Sequence, residues 1–300
     1  IYATNAATAG DLIVDVTDVS GATDGMVIRN NGTGVTDISV SGLISGGTLN
    51  GIYARGNGTS MTINANDVTG NTNGIWALGY GSGATTITTT GTVTGTTSNG
   101  ILAQNDASST DLTINSVDVN GGQSGIAARN FGTGATSVTS TGTVTGTNIY
   151  GIDARNYGTT TGLTISAVDV NAGRIGVVGL NNATGDTTIT TTGTVTGTSL
   201  AGIYGRNAAN ANDLSVTSAA VTGGAFGIAA FNLGTGATSV TSTGTVTGTS
   251  NFGIVTQTGT TSTNTAITAI DVTGGLFGIA AINGGTGSTT ITSTGTVIGT

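Results

Sequence analysis

The side chains that could carry out chemistry fall into only two charged classes, carboxylates and guanidinium groups. The 300 residues contain fourteen aspartates and six arginines, and the sequence has no His, Cys, Lys or Glu. Carboxylates bind calcium and serve as acid and base in glycoside cleavage. Five aspartates recur just before an aliphatic residue and form the first candidate site: Asp18, Asp67, Asp118, Asp169 and Asp271.

Two interpretations of this aspartate row stay open on the sequence alone. The row could supply carboxylates for calcium or catalysis, or it could keep the surface soluble. Threonine takes the same position in the neighbouring repeat units, which keeps like charges apart. Calcium usually takes about 6–8 oxygen ligands, and the aspartates are not clustered. We therefore favour the solubility role and predict no metal site, no cofactor and no catalytic residue.

Arginines and aromatic residues form a second candidate set, on positions expected to face outward. Five arginines share one position of the repeat: Arg29, Arg55, Arg129, Arg155 and Arg206. Three aromatic residues lie two positions after a recurring glycine: Tyr53, Trp76 and Tyr204. The arginines could hold acidic glycans or phosphate, and the rings could stack on sugars. The alternative is an ordinary solvated face, so these residues are predicted only as surface contacts.

The elements that position these residues are repeat units, which are visible as a period in the sequence. A glycine followed by an aliphatic residue recurs every 25 or 26 residues, apart from one step of 23, and defines twelve units. Residues 125–147 and 227–249 differ at only two of 23 positions. Such self-similarity is the signature of a solenoid, in which each unit stacks on the next.

Within each unit, three aliphatic positions alternate with polar neighbours, and this period of two predicts short strands. We predict an all-β, right-handed parallel β-helix, or β-solenoid, of about twelve coils of 25–26 residues with three strands per coil. Equivalent aliphatic residues then lie one above another, so Ile126, Ile152 and Val177 should be vertical neighbours. A further aliphatic column is predicted to be structural and includes Val119, Val144, Val170 and Val195.

An asparagine column lies five residues after the recurring glycine. Its predicted structural members are Asn30, Asn105, Asn130, Asn156, Asn181, Asn207 and Asn232. Asparagine tolerates the left-handed backbone conformation, and stacked amides can bond to one another. We therefore predict left-handed turns and a ladder of amide-to-amide hydrogen bonds from coil to coil.

Charge and hydropathy exclude two classes of partner. The net charge of −8 argues against nucleic acid, whose binding depends on Lys and Arg. No apolar run approaches the ~20 residues that cross a bilayer, so no membrane insertion of this segment is expected. We interpret residues 1–300 as a single β-helix segment, an excerpt of a longer repetitive chain, because residue 1 is Ile and neither end carries a visible cap.

The repeated blocks GIAARN, at Gly125, and TGTVTGT, at Thr141, resemble the passenger region of bacterial autotransporters. These are large repetitive β-helix adhesins, and their fold is pectin-lyase-like. The resemblance implies an extracellular location on the bacterial cell surface and a structural role as a stalk, fibre or adhesin segment, not as an enzyme. Its expected partners are a host or surface glycan or protein, or other rods along or beside it. The alternatives are a lectin-like carbohydrate-binding face and, third, a polysaccharide-active β-helix enzyme.

Overall fold

The computed structural model describes residues 1–300 and contains strands but no helix, wound into a β-solenoid of about twelve coils. Neighbouring strands of successive coils pair in parallel, as the stacking of repeat units predicts. Threonine, valine and isoleucine favour strands because their branched side chains pack well on a pleated surface. The chain has no helix that is long and apolar enough to cross a membrane.

Twelve strands, one from each coil, form the sheet that carries the recurring glycine-aliphatic sequence, and we call it the first sheet. Its strands are Tyr2–Asn5, Met26–Asn30, Ile52–Gly56, Ile75–Gly79, Asn99–Asn105, Ser124–Asn130, Tyr150–Asn156, Ile175–Asn181, Ala201–Asn207, Phe226–Asn232, Phe252–Thr258 and Phe277–Asn283. The other eighteen strands supply the remaining sides of each coil. Together they give about three strands per coil, which confirms the predicted number.

In six coils the second and third sides form one long bent strand. These strands are Val35–Gly46, Ser60–Gly70, Thr136–Gly146, Leu163–Ala172, Thr187–Gly197 and Leu214–Gly223. In the other six coils the two sides are separate strands: Leu12–Val16 and Val19–Gly21, Thr85–Thr89 and Thr92–Gly95, Leu112–Ser116 and Asp118–Gly121, Thr238–Ser242 and Val246–Gly248, Thr265–Ala269 and Val272–Gly274, Thr289–Ser293 and Val297–Gly299. The pairing register shifts at the bend of several long strands, as at a β-bulge.

The register confirms that equivalent residues of successive coils lie one above another. Ile126 pairs with Ile152, and Ile152 pairs with Val177. The predicted valine column is also continuous, since Val119, Val144, Val170 and Val195 pair in that order. All of these side chains are buried.

The core runs along the solenoid axis as one cluster of 46 buried residues, so each coil packs on both of its neighbours. Side chains alternate along each strand, because successive Cβ atoms point to opposite faces. In Tyr150–Asn156, Ile152 and Ala154 point into this core, whereas Arg155 lies on the outside. The alternation puts every candidate arginine on the outer face of the first sheet.

The recurring glycines are required by close packing and not by backbone conformation. A Cβ on Gly125 would overlap Cγ1 of Val144 and would lie 2.8 Å from the carbonyl oxygen of Gly151. Only Gly158 and Gly185 have positive φ angles, and both lie between strands. The recurring glycine therefore lets the first strand of each coil begin against the valine column.

The asparagine column is buried as predicted, but the expected left-handed turns and amide ladder are wrong. No non-glycine residue has a positive φ angle. The side chain of Asn232, for example, donates to the carbonyl oxygen of Ala237 at 3.1 Å and accepts from the backbone N–H of Gly234 at 3.0 Å. The same correction applies to the whole predicted set, in which no amide bonds to another: Asn30, Asn105, Asn130, Asn156, Asn181, Asn207 and Asn232.

The physical reason is that the turn of each coil has its own unpaired backbone groups. Buried N–H and C=O groups need partners, and those of the same turn lie closer than the next amide, about 4.8 Å away along the stack. Coil-to-coil links still occur through the backbone, since Asn130 also donates to the carbonyl oxygen of Thr110 at 3.1 Å. The column therefore stabilises each turn and also joins some turns to the preceding coil.

Candidate functional site

The aspartate row bonds to the backbone of the following coil. In each case Oδ1 accepts the N–H of the residue 25 positions later, at 2.7 or 2.8 Å. The five pairs are Asp18 with Leu43, Asp67 with Thr92, Asp118 with Thr143, Asp169 with Thr194, and Asp271 with Thr296. Each carboxylate thus fastens one coil to the next, a role that neither interpretation of the sequence included.

The bend of the coil explains why a carboxylate is needed there. The pairing between Leu163–Ala172 and Thr187–Gly197 shifts between Ala167 and Val170, so the ladder is interrupted at this point. Asp169 supplies the missing acceptor to the backbone N–H of Thr194 at 2.7 Å and also accepts from its hydroxyl at 2.9 Å. These hydrogen bonds lower the pKa of Asp169, because they favour the ionised carboxylate.

Most other aspartates have the same kind of partner. Ten of the fourteen accept a backbone N–H of the following coil: Asp11, Asp18, Asp24, Asp67, Asp111, Asp118, Asp169, Asp186, Asp213 and Asp271. No group of three or more His, Cys, Asp or Glu side chains comes together in a way that could hold a metal ion. The carboxylates are therefore spread along the solenoid as structural acceptors.

The five candidate arginines form two adjacent pairs and one separate residue. Arg29 is the register partner of Arg55, and Arg129 is the register partner of Arg155. Arg206 instead lies between Leu180 and Phe231 on the neighbouring coils. The five predicted contact arginines therefore do not form one continuous strip.

The pair formed by Arg129 and Arg155 contains a carboxylate of the protein itself. Arg155 Nε donates to Asp153 Oδ1 at 2.7 Å, and this is the only salt bridge in the structure. The side chain of Asp153 is only 2% exposed. Burial raises the pKa of Asp153 and outweighs the opposing effects of the hydrogen bond from Arg155 and of the two positive charges. Burial acts to lower the pKa of Arg155, but the hydrogen bonds and charges of Asp153 and Tyr157 together outweigh it and raise the pKa, so the guanidinium stays charged.

The pair formed by Arg29 and Arg55 has aromatic neighbours in place of a carboxylate. The guanidinium carbon of Arg29 lies 6.0 Å from the ring centre of Tyr2 and 5.5 Å from that of Tyr53. The guanidinium carbon of Arg55 lies 4.9 Å from the ring centre of Tyr80. These distances are typical of cation–π contacts, which hold the two cations without neutralising them.

Two of the three predicted aromatic contacts lie together beside this arginine pair. The rings of Tyr53 and Trp76 meet edge to face, with 5.1 Å between their centres. They line a groove of about 250 Å³ with Arg29, Asp24 and Leu49. Tyr204 lies several coils away and packs against Phe231, with 5.5 Å between the ring centres. The structure thus brings Tyr53, Trp76 and Arg29 together at one groove, with Arg55 beside Arg29 on the next coil. It places Arg129 and Arg155 together elsewhere and leaves Tyr204 and Arg206 apart from both groups.

The position immediately before the recurring glycine was missed in the sequence. In the first coils it holds a hydrogen-bonded series, in which Asn73 donates to Asn50 at 2.9 Å and Asn99 donates to Asn73 at 3.1 Å. In the last coils it holds Phe226, Phe252 and Phe277, with successive ring centres 5.9 and 5.6 Å apart. The signal was present, because each of these residues directly precedes a recurring glycine.

Comparisons with models of protein families, with curated proteins and with solved structures found no match to this chain.

Proposed function

We propose that this chain is a stiff spacer, a stalk or fibre shaft, within an extracellular protein of the bacterial cell surface. The observation that supports this role most strongly is the unbroken parallel stack of about twelve coils. Each coil is hydrogen-bonded and packed to both neighbours, so bending the rod would strain contacts along its whole length. At about 4.8 Å per coil the stack is about 57 Å long.

The proposed surface location rests on the resemblance of the GIAARN and TGTVTGT blocks to autotransporter passengers. In this proposal the chain belongs to an adhesin of that kind, and the rod holds an adhesive part away from the cell. Its partners are a surface glycan or protein, or other rods. The proposal assigns no catalytic role, because ten aspartates already accept backbone N–H groups.

A variant with more coils tests the spacer role. Residues 125–226 span four coils and begin and end in the same register, so a second copy of them can follow the first. We expect small-angle scattering to show a maximum dimension longer by about 19 Å and an unchanged cross-section. Growth in all three dimensions would contradict the spacer role.

The surface location has its own test on cells that produce the protein. An antibody raised against the purified segment should label intact cells. Labelling that appears only after the cells are permeabilised would contradict an extracellular role.

A second candidate function, recognition of carbohydrate, is favoured by one specific observation. This is the groove in which Tyr53 and Trp76 lie beside an arginine without a carboxylate partner.

A further inference from the structure

The two arginine pairs occupy equivalent places on the outer face of the first sheet but differ in one residue. The sequence around one pair reads Ile152-Asp153-Ala154-Arg155, and around the other it reads Ile52-Tyr53-Ala54-Arg55. Asp153 therefore stands where the other pair has Tyr53. The pair of Arg129 and Arg155 shows that this face can hold a buried carboxylate beside two guanidinium groups.

The pair of Arg29 and Arg55 lacks such a carboxylate and keeps unused donors. Neither arginine makes a salt bridge. Nε of Arg55 is buried and has no hydrogen-bond partner. Arg29 is exposed, and the Tyr2 and Tyr53 rings hold it at the groove. Arg29 is therefore a charged donor at the groove that no carboxylate of the chain neutralises, and it is suited to an acceptor from outside the chain.

The groove beside Arg29 has the features of a sugar site. Trp76 and Tyr53 offer ring surface that can pack against the apolar face of a pyranose. Asp24 Oδ1 accepts two hydrogen bonds from Asn50, which leaves its other oxygen to accept from a sugar hydroxyl. The volume of about 250 Å³ suits one sugar ring more than a large ligand, since ligand pockets commonly reach about 300–1,000 Å³.

We propose that this groove binds a carboxylated sugar, with the carboxylate on Arg29 and the ring against Trp76 and Tyr53. At the other arginine pair, Asp153 is the carboxylate that the chain supplies itself. Guanidinium groups bind carboxylates through charge-assisted hydrogen bonds, which discriminate against neutral sugars. This site goes beyond the spacer role, and a failure of the scattering or labelling tests would leave it unaffected.

Trp76 reports directly on the groove, because it is the only tryptophan of the chain. The purified chain is titrated with 3′-sialyllactose and with a glucuronate-containing hyaluronan hexasaccharide, each also as its methyl ester, while Trp76 fluorescence is recorded. We expect a saturable change with at least one acidic sugar, about tenfold or more weaker binding of its ester, and weaker binding at high salt. The two sugars distinguish a sialic acid from a uronic acid as the source of the carboxylate.

Four variants test the assignment of residues, each with its fold checked by circular dichroism. Arg29→Gln should weaken binding about tenfold or more, whereas Arg206→Gln, in the same column but outside the groove, should leave it unchanged. Tyr53→Asp places a carboxylate where Asp153 lies in the other pair, and it should weaken binding more than Tyr53→Asn does. The proposal is overturned if neither acidic sugar binds, if the esters bind equally well, or if Arg206→Gln weakens binding as much as Arg29→Gln.

Discussion

The inner and outer faces of the first sheet differ in how much they vary from coil to coil. Inward positions repeat the same kind of residue, so Ile126, Ile152 and Val177 follow one another. One position further along, on the outer face, Ala127, Asp153 and Val178 follow one another. The two faces belong to the same strands and have the same register, so only their surroundings distinguish them.

This difference shows where constraint and freedom lie in a solenoid. An inward side chain must fit the coil above and the coil below, because interiors are close-packed. An outward side chain has no opposite wall of the core to fit, although some, such as Asp153, are still buried by their surroundings. Outer residues are therefore constrained only where they bond to the next coil, as Asp118 does, and elsewhere they are free to form a site.

The largest effect is expected from a charge on the axis. Val144→Asp places a carboxylate in the core, where Val144 is fully buried within the hydrophobic cluster. An unpaired buried charge costs about 3–5 kcal/mol, so urea unfolding followed by circular dichroism should show a loss of that size. The matched change Thr145→Asp, on the neighbouring outward position, should cost about 1 kcal/mol or less. Equal losses from the two variants would mean that the inward assignment is wrong.

A smaller effect is expected where an outer residue fastens two coils. Asp118→Ala leaves the backbone N–H of Thr143 without its acceptor. Hydrogen bonds to charged groups contribute about 1.5–3 kcal/mol, and we expect a loss near the lower end because this site is only half-buried. Asp118→Asn keeps an acceptor and should recover most of the lost stability in the same unfolding measurement. If Asp118→Ala unfolds like the unaltered chain, the coil-to-coil role of the aspartates is wrong.

The smallest effect is a difference in pH dependence between Asp169 and Asp153. The pKa of Asp169 is lower in the folded chain than in the unfolded chain. The contribution of Asp169 to stability is therefore present at pH values above its unfolded pKa and is lost as pH falls through its folded pKa. The raised pKa of Asp153 means that its carboxylate binds a proton at a higher pH in the folded chain than in the unfolded chain. Stability is therefore gained as pH falls from the folded pKa of Asp153 towards its unfolded pKa.

Unfolding free energies of Asp169→Asn and Asp153→Asn, compared with the unaltered chain between about pH 6 and 3, check these signs. As the pH falls, the stability of the unaltered chain relative to Asp169→Asn should decrease. Its stability relative to Asp153→Asn should increase. If both stability differences change in the same direction as the pH falls, the two carboxylates do not have the different environments described here.

The interior could be predicted from the sequence because each inward column repeats a residue class at a fixed spacing. The valine column and the stacking of Ile126 on Ile152 follow from that spacing alone. The position of the asparagine column was predicted correctly, but its hydrogen-bond partners were not. Its partners are backbone groups of the same turn and of the preceding coil, whose positions depend on the path of the turn.

The outer face could be predicted only in part. The arginine column and the aromatic positions were visible, but their grouping depends on which side chains meet across coils. The change from Tyr53 to Asp153 is a single-letter difference between units, and its meaning appears only with the 2.7 Å contact to Arg155. The aspartate row was visible too, but its role depends on where the strand ladder is interrupted.

The central claim is that residues one repeat apart lie one coil apart along a single axis. Because the chain has no cysteine, spin labels can be attached to pairs of introduced cysteines. One cysteine of each pair replaces Ser45, and the other replaces Thr145, Thr196 or Thr247. These three residues lie four, six and eight coils beyond Ser45 in one outward column. Double electron–electron resonance should give separations of about 19, 29 and 38 Å, rising by about 4.8 Å per coil. Separations that do not increase with coil number would contradict the stacked solenoid.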